Sequence, residues 1–232
     1  MGIVQQIKFL GKLALRREVY YKKQVNRSIK WFGNKYAGFF VVPDLVNKDS
    51  IVYSFGVGED ISFDERLIAE FGCTVYGFDP TPKSIKFIEE KGPIRNYKFL
   101  PFGIADEDGT KRFFLPDNPN YVSGTFLQKK TQDNVEKNSL VVPVKKFSSI
   151  VKALGHNKVD VLKLDIEGSE YSILDDIFGS KVEIGQILIE FHHRFEGIGI
   201  DMTHAAISKI NKNGFFIAGI SEQKEEYTFV AQ

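Results

Sequence analysis

Short apolar runs alternate with amphipathic segments along most of the chain. The runs predict strands at 51–55, 74–78, 97–105, 159–165 and 186–192, and the amphipathic segments predict helices near 63–71, 82–90, 147–154, 170–178 and 203–212. The apolar character of 159–162 and 187–189 is typical of strands that are covered on both faces. Strands that alternate with helices in this way predict an α/β fold with a parallel, doubly wound sheet.

Two regions depart from simple alternation. The segments 214–218 and 226–230 both favour strands, and only a short polar stretch separates them, so we expect an antiparallel pair at the C-terminal end of the sheet. The turn signal at 106–109 starts a hairpin-like excursion that extends through 116–140. Loops of this kind often carry specificity, and we expect it to help select the substrate.

Charge is distributed unevenly along the chain. The formal net charge is +1, but residues 1–35 carry nine Lys or Arg residues against one acid, Glu18. Apolar residues recur at helical spacing from Ile3 to Ala14, which predicts a basic amphipathic helix. We therefore divide the chain into an N-terminal helical extension, 1–35, and a globular domain, 36–232. The extension either packs on its own acidic domain or makes a peripheral contact with a membrane or a partner.

Composition narrows the class of protein. The 232 residues, 43% of them apolar and 26% charged, fit one globular domain with a substantial core. A single cysteine, Cys73, excludes an internal disulfide framework and a cysteine-based zinc site. We see no secretory signal and no apolar run near the 18 or so residues that span a bilayer. We therefore expect a cytoplasmic protein.

The most informative motif is a strand that delivers two glycines into a turn. Gly56 and Gly58 follow the strand 51–55, and Asp79 ends the next strand, 21 positions after Gly58. Glycine lets the backbone approach a ligand closely, and an acid at this separation is placed to bind a ribose diol. The pairing predicts a nucleoside-binding site.

The residues after the glycines distinguish two cofactor classes. A dinucleotide site has a third glycine three residues after the second, and that position is Ile61. Glu59 and Asp60 stand where a diphosphate would bind, and their charges oppose it. A cationic nucleoside without phosphate, S-adenosyl-L-methionine, is therefore the leading cofactor, and NAD(P) is the rival.

Candidate acid and base groups cluster at the ends of the fourth and fifth predicted strands. Asp165 ends the fourth, and Glu190 and His192 end the fifth, where strand alternation places both on one face. Histidine near its unperturbed pKa of about 6.5 can accept a proton at neutral pH. We predict His192 as general base, oriented by Asp165 or Glu190. The alternative is a divalent ion held by these three residues, but the sequence alone assigns no metal ligand.

Three segments together resemble FkbM-type methyltransferases of the class I superfamily: 52–64, 78–82 and 162–170. The resemblance runs from about Trp31 to the C-terminus. It implies a Rossmann-like, mostly parallel seven-stranded sheet with an antiparallel C-terminal strand. It also implies S-adenosyl-L-methionine as methyl donor and a hydroxyl of a sugar, glycan or small natural product as acceptor.

The resemblance further implies a set of cofactor contacts. They are Gly56 and Gly58 along the methionine part, Glu59 at its ammonium, Asp79 at the ribose hydroxyls, Ile104 beside the adenine, Asp106 at the adenine amino group and Asp165 near the transferred methyl. Structural interpretations compete with these: the glycines make only a turn, and Asp79 only caps a helix. For Glu170 we favour the structural interpretation, a helix start capped by Ser169.

Three functions are compatible with these patterns. The first is an S-adenosylmethionine-dependent methyltransferase that acts on a small molecule or glycan. The second is an NAD(P)-binding Rossmann oxidoreductase or sugar-nucleotide enzyme, and the third is a non-catalytic binding protein with a methyltransferase-like fold. A nucleic-acid acceptor is disfavoured, because the chain beyond residue 35 is acidic and repels phosphates. The sequence does not determine the oligomeric state.

Overall fold

The computed structural model describes residues 18–115, 139–195 and 197–232, together with positions 9, 11–13 and 15. Its strands are β1 (Lys30–Phe32), β2 (Phe39–Val41), β3 (Ile51–Phe55), β4 (Thr74–Phe78), β5 (Tyr97–Leu100), β6 (Gly103–Ile104), β7 (Gly109–Phe114), β8 (Ser139–Lys145), β9 (Lys158–Leu164), β10 (Glu183–Glu190), β11 (Phe215–Ile220) and β12 (Glu226–Ala231). Its α-helices are α1 (Ser62–Phe71), α2 (Pro82–Lys91), α3 (Phe147–Leu154), α4 (Glu170–Gly179) and α5 (Ile200–Lys212).

A seven-stranded sheet forms the centre of the molecule, in the order β11-β12-β10-β9-β3-β4-β5. The neighbours from β10 to β5 are parallel, whereas β12 is antiparallel to both β10 and β11. The predicted doubly wound sheet and its antiparallel C-terminal pair are therefore confirmed. The parallel strands place their carboxyl ends along one edge.

Both faces of this sheet are buried, as the apolar runs predict. Leu162 and Ile187 face a core formed with α3, α4 and α5, while Val161 and Leu188 face a second core formed with α1 and the β1–β2 hairpin. Successive residues of a strand point to opposite faces, so a continuous apolar run is needed where helices cover both sides.

Two predicted strands end elsewhere than expected. The predicted strand 97–105 is divided, because Pro101 has no amide to continue the ladder, and β6 joins a three-stranded sheet with β7 and β8. The predicted strand 186–192 ends at Glu190, so His192 lies in the loop that follows β10. The hairpin-like excursion begins as expected with β7 and β8, but most of its predicted extent, 116–138, lies outside the described residues.

The chain just before β3 packs on the sheet at Val42. The side chain of Gln186, on β10, accepts a hydrogen bond from the amide of Val42 at 2.9 Å and donates one to its carbonyl at 3.2 Å. The backbone is helical at 11–13, but most of the predicted basic helix lies outside the described residues. The division at residue 35 stays a prediction. Within the part of the chain that the structure describes, no helix has the length and apolar character needed to cross a membrane.

Candidate active site

A cavity of about 400 Å³ opens at the carboxyl ends of β3, β4, β9 and β10. In open α/β sheets, ligands bind at this edge. Its lining includes seven of the nine residues that the sequence analysis selected for the cofactor and the acceptor: Gly56, Gly58, Glu59, Asp79, Ile104, Asp165 and Glu190. His192 and Asp106 are not among the lining residues. The structure thus brings the two predicted halves of the site into one cavity.

The turn after β3 has the backbone that its glycines suggest. Gly56 and Gly58 have φ values of +79° and +57°, a region that residues with a Cβ rarely adopt. A Cβ on Gly56 would overlap the main-chain carbonyl oxygen of Asp165, whereas a Cβ on Gly58 would meet open space. Gly56 therefore allows β3 and β9 to approach closely, and Gly58 leaves a backbone surface free for a ligand.

Asp79 is held rigidly at the end of β4. Its Oδ2 accepts a hydrogen bond from the amide of Gly58 at 3.0 Å, and its Oδ1 accepts two from Thr81, at 2.8 and 2.7 Å. Thr81 is the residue that caps α2, since its hydroxyl accepts a bond from the amide of Ser84. Asp79 is thus not the helix cap, and its carboxylate contributes to the cavity wall next to the glycine turn.

The two acids after the glycines have different surroundings. Asp60 binds the first turn of α1, where its Oδ1 accepts a hydrogen bond from the amide of Ser62 at 2.7 Å, and its Oδ2 accepts one from the side chain of Asn34. Glu59 is exposed and lines the cavity. An acidic rim next to a close backbone approach fits a nucleoside with a positive charge and no phosphate.

The structure separates the two residues expected near the adenine. Ile104 is buried and lines the cavity. Asp106 lies on the surface, outside the cavity lining, where its carboxylate accepts a hydrogen bond from Lys111 that lowers its pKa. The structure therefore does not bring Asp106 to the site.

Sequence reasoning missed a buried lysine in the cavity wall. Lys163, on β9, is 5% exposed, and its Nζ lies 3.1 Å from the carbonyl oxygen of Gly56 and 3.4 Å from Asp165 Oδ2. Asp64 lies nearby on α1, and burial raises its pKa to about 6 against the opposing charge of Lys163. The sequence did contain a signal for this residue, which is a lysine inside the apolar run 161–164. Because lysine is rarely fully buried without partners, its position in a buried strand indicates specific partners nearby.

The predicted acid and base residues form one cluster. Asp165, Glu190 and His192 each present a ligand atom, and these atoms all lie within 4.8 Å of one another. The His192 Nε2 lies 3.4 Å from Glu167 Oε2 and 3.9 Å from Glu190 Oε1. The next residue, His193, faces away from this cluster and contacts Glu18 instead, with Nε2 and Oε1 2.5 Å apart.

The residue that orients His192 is Glu170, and this corrects the sequence analysis. Glu170 is fully buried, and its Oε1 lies 2.8 Å from His192 Nδ1 while accepting hydrogen bonds from the amides of Ile166 and Gly168. The expected orienting partners, Asp165 and Glu190, lie on the other side of the ring. Glu170 does begin α4 with Ser169 at the N-cap position, as expected, but the Ser169 side chain makes no capping hydrogen bond, and the carboxylate of Glu170 binds His192 as well.

Burial and neighbouring charges change the protonation of the cluster. Burial opposes a charged ring at His192, but the carboxylates of Glu170, Glu167 and Asp165 outweigh it and raise the pKa to about 10. Burial raises the pKa of Glu190 to about 9, with a further contribution from Asp165. The expectation that His192 titrates near its unperturbed value is therefore wrong, because the sequence does not reveal how many acids surround the ring.

Comparison with known proteins agrees with this geometry. The model of the methyltransferase FkbM domain matches residues 49–217. The human protein "Probable methyltransferase-like protein 24" is 27% identical over 171 residues, which cover 73% of this chain and 40% of that protein, and its rat counterpart is 23% identical over the same shares. The chain thus spans about 40% of the length of these curated relatives.

Solved structures with similar chain traces include two fibrillarins. The Methanococcus jannaschii fibrillarin pre-rRNA processing protein has a TM-score of 0.48 and 11% identity, with 88% of this chain and 71% of that chain covered. The Aeropyrum pernix fibrillarin in complex with natively bound S-adenosyl-L-methionine has a TM-score of 0.47 and 10% identity, with 90% and 84% covered.

Proposed function

The chain belongs to the FkbM methyltransferase family, and from this premise we propose that it transfers a methyl group from S-adenosyl-L-methionine to a hydroxyl of a sugar, a glycan or a small natural product. The observation that carries the proposal is the single cavity that joins the Gly58–Asp79 wall to the Asp165–Glu190 end. A donor nucleoside and an acceptor have to meet in one crevice for direct transfer.

The residues at the glycine turn fit the cofactor. Asp79 lines the cavity, and hydrogen bonds from Gly58 and Thr81 fix the position of its carboxylate. A carboxylate that binds both hydroxyls of a ribose has to be fixed in this way. Glu59 supplies a negative charge for the ammonium group of the methionine part. When bound, the cofactor supplies a methyl group on a positively charged sulfur.

The Asp165 end of the cavity serves the acceptor. In the transfer, the acceptor oxygen forms a bond to the methyl carbon while the bond from that carbon to sulfur breaks, and the electron pair of that bond returns to sulfur. The hydroxyl proton must leave in the same reaction. Asp165 and Glu190 line this end of the cavity, and His192 presents a ring nitrogen within 4.8 Å of their carboxylate atoms, so these three are the catalytic residues of this proposal. The hydroxyl proton passes to the carboxylate of Asp165, because the raised pKa values of Glu190 and His192 keep those two groups protonated at neutral pH.

The rival dinucleotide function lacks support from the same residues. The position of the third glycine is Ile61, which precedes α1 without a side-chain cap, and the carboxylate of Asp60 already binds the first amide of that helix. A diphosphate would have to displace the Asp60 carboxylate from that amide, and the negative charge of Glu59 would repel it. The acceptor and the cytoplasmic location stay predictions.

Calorimetry with S-adenosylhomocysteine tests the cofactor site. We expect Asp79→Asn to weaken binding at least tenfold, because the variant loses the charge that holds the ribose hydroxyls, an effect of about 1.4 kcal/mol or more. Asp106→Asn is the matched control and should bind within twofold of the wild type, since Asp106 lies outside the cavity. Equal affinity of Asp79→Asn and the wild type, or saturation by NAD instead, contradicts the proposal.

The acceptor end is tested by turnover. With a panel of glycosides and hydroxylated natural products, we expect wild-type protein to release S-adenosylhomocysteine, and Asp165→Asn to lower kcat by about 10²–10⁴ while binding of S-adenosylhomocysteine is retained. Loss of cofactor binding in Asp165→Asn would assign the residue to the donor instead. Absence of turnover with every hydroxyl compound, despite tight cofactor binding, contradicts the proposed acceptor class.

A further inference from the structure

The cluster at the ends of β9 and β10 has the composition of a cation site. Asp165, Glu190 and His192 offer two carboxylates and one imidazole, with their ligand atoms within 4.8 Å of one another. Three ligands of one small divalent ion at about 2.0–2.2 Å lie roughly 3–4 Å from one another. The side chains would have to move toward one another by up to about 1 Å to share an ion.

His192 is held in the orientation that a metal ligand requires. Its Nδ1 lies 2.8 Å from the buried Glu170 Oε1, so Nε2 points toward Asp165 and Glu190. The residue is 6% exposed, and its Nε2 forms ion pairs with Glu167 Oε2 at 3.4 Å and Glu190 Oε1 at 3.9 Å, both longer than a close hydrogen bond of about 2.7–3.2 Å. A buried ring nitrogen aimed into the cluster at these distances leaves room for an ion. A carboxylate behind a ligating histidine is the common second partner in metal sites.

The charges around the cluster favour a cation. Glu167 lines the same cavity, and Glu226 is the register partner of Glu190 on β12. Among the described residues, the ammonium group in contact with the cluster is that of Lys163, 3.4 Å from Asp165 Oδ2, and it also donates to the carbonyl oxygens of Phe55 and Gly56. Binding of a divalent ion would release the protons that Glu190 and His192 hold, and the ion would then pair with the carboxylates of the cluster.

We propose that Asp165, Glu190 and His192 bind a divalent cation of the Mg²⁺ or Mn²⁺ class at the acceptor end of the cavity. Oxygen donors with one imidazole and no sulfur favour these ions. The remaining coordination positions face the cavity, where an acceptor hydroxyl can bind to the ion and become more acidic. With an ion bound, Asp165 would hold the ion instead of taking up the proton, which would pass to the carboxylate of Glu167. The acceptor oxygen would form its bond to the methyl carbon as the carbon–sulfur bond breaks and its electron pair returns to sulfur. This catalytic use rests on the proposed function, whereas the cation site itself does not.

Manganese binding to the cofactor-free protein tests the site. Titration with Mn²⁺, followed by the loss of the free-ion electron paramagnetic resonance signal, should show one ion per chain, and Mg²⁺ should compete for it. Glu190→Gln and Asp165→Asn should weaken binding at least tenfold. Glu183→Gln, the same substitution at the exposed opposite end of β10, is the matched control and should bind like the wild type. No saturable Mn²⁺ binding to the wild type, or equal binding by Glu190→Gln and Glu183→Gln, overturns the proposal.

Glu170 provides a second, independent variant, as a positioning residue. Glu170→Gln keeps the shape of the side chain but removes the charge behind His192, and we expect Mn²⁺ affinity to fall about 10–100-fold. Circular dichroism establishes that the variant is folded. Because Glu170 acts through the orientation of His192, the Mn²⁺ that still binds should lose the coupling to an imidazole nitrogen that pulsed electron paramagnetic resonance detects in the wild type. Wild-type affinity in a folded Glu170→Gln protein contradicts the orientation of His192 on which the site depends.

The cation site and the methyltransferase function fail separately. Calorimetry with S-adenosylhomocysteine on the same preparation reports on the function, and Mn²⁺ titration reports on the site. If S-adenosylhomocysteine binds but Mn²⁺ does not, the cation site is overturned and the proposed methyltransferase function is unaffected. Binding of Mn²⁺ without the nucleoside supports the site and contradicts the function. If both bind and a chelator leaves turnover unchanged, the catalytic use of the ion is wrong.

Discussion

Gly56 shows how one residue fixes the geometry of the whole site. Its positive φ and its contact with the Asp165 carbonyl oxygen both exclude a side chain. The sequence predicted that a ligand approaches the backbone at this glycine, because glycine has no Cβ. It did not predict that the approaching group is the backbone of Asp165, which lies more than a hundred positions later in the chain.

Gly56→Ala should lower the free energy of unfolding by at least about 3 kcal/mol, because a backbone carbonyl cannot move aside for the new methyl group. Gly58 also has a positive φ, but a Cβ at this position would meet open space. Gly58→Ala should therefore lower the free energy of unfolding by only about 1–2 kcal/mol, from backbone strain alone. Urea denaturation measures both. Equal losses would show that strain, and not the contact with Asp165, determines the need for glycine at position 56.

At the scale of elements, the loop after β10 joins the N-terminal segment to the site. The buried carboxylate of Glu18 accepts hydrogen bonds from Arg194 at 2.8 and 3.1 Å, and its Oε1 lies 2.5 Å from His193 Nε2. These partners directly follow His192. The sequence placed Glu18 only as a single acid in a basic segment, since no local pattern connects residues 175 positions apart.

Glu18→Ala should destabilise the fold by about 3 kcal/mol, because it leaves the buried His193 without its carboxylate partner and removes two hydrogen bonds from the more exposed Arg194. Hydrogen exchange should increase in 18–25 and 192–195. Glu225→Ala, which removes the other carboxylate bound to Arg194, is the control and should have a smaller effect. Equal exchange in the two variants would mean that the Glu18 contacts do not hold the segment in place.

The contribution of Glu18 to the free energy of unfolding should also depend on pH. Burial raises the pKa of Glu18, but the hydrogen bonds from His193 and Arg194 outweigh it, and the net pKa is lowered from its usual value of 4.5. A lowered pKa in the folded state stabilises the protein above pH 4.5, and this stability is lost as the pH falls through the folded value. The difference in unfolding free energy between wild type and Glu18→Ala should therefore shrink below pH 4.5.

At the scale of the whole molecule, the order of the strands assembles the site. Because β9 lies between β3 and β10, the glycine turn, Asp165 and Glu190 come from three adjacent strand ends. The alternation of strands and helices was enough to predict this edge, since parallel strands with short right-handed crossovers place all their carboxyl ends together. The segment 116–138, where we expect acceptor specificity, lies outside the described residues.

Ligand binding across these strands should stabilise the molecule as a unit. S-adenosylhomocysteine at about 100 times its Kd should add about 2.7 kcal/mol to the unfolding free energy. For a chain of this size, that raises Tm by about 5–10 °C. NAD at the same concentration should leave Tm unchanged, and Asp79→Asn should remove the response to S-adenosylhomocysteine. A larger shift with NAD would favour the dinucleotide function instead.

The sequence by itself determined the parallel sheet, the antiparallel C-terminal pair, the glycine turn and the position of Asp79, because each follows from periodicity or spacing within a few tens of residues. Only the tertiary structure decided which groups surround His192. Glu170 and Glu167 reach the ring because α4 starts next to the end of β10, and Lys163 reaches Gly56 because β9 pairs with β3. Such contacts depend on which strands become neighbours, and local patterns carry no information about that choice.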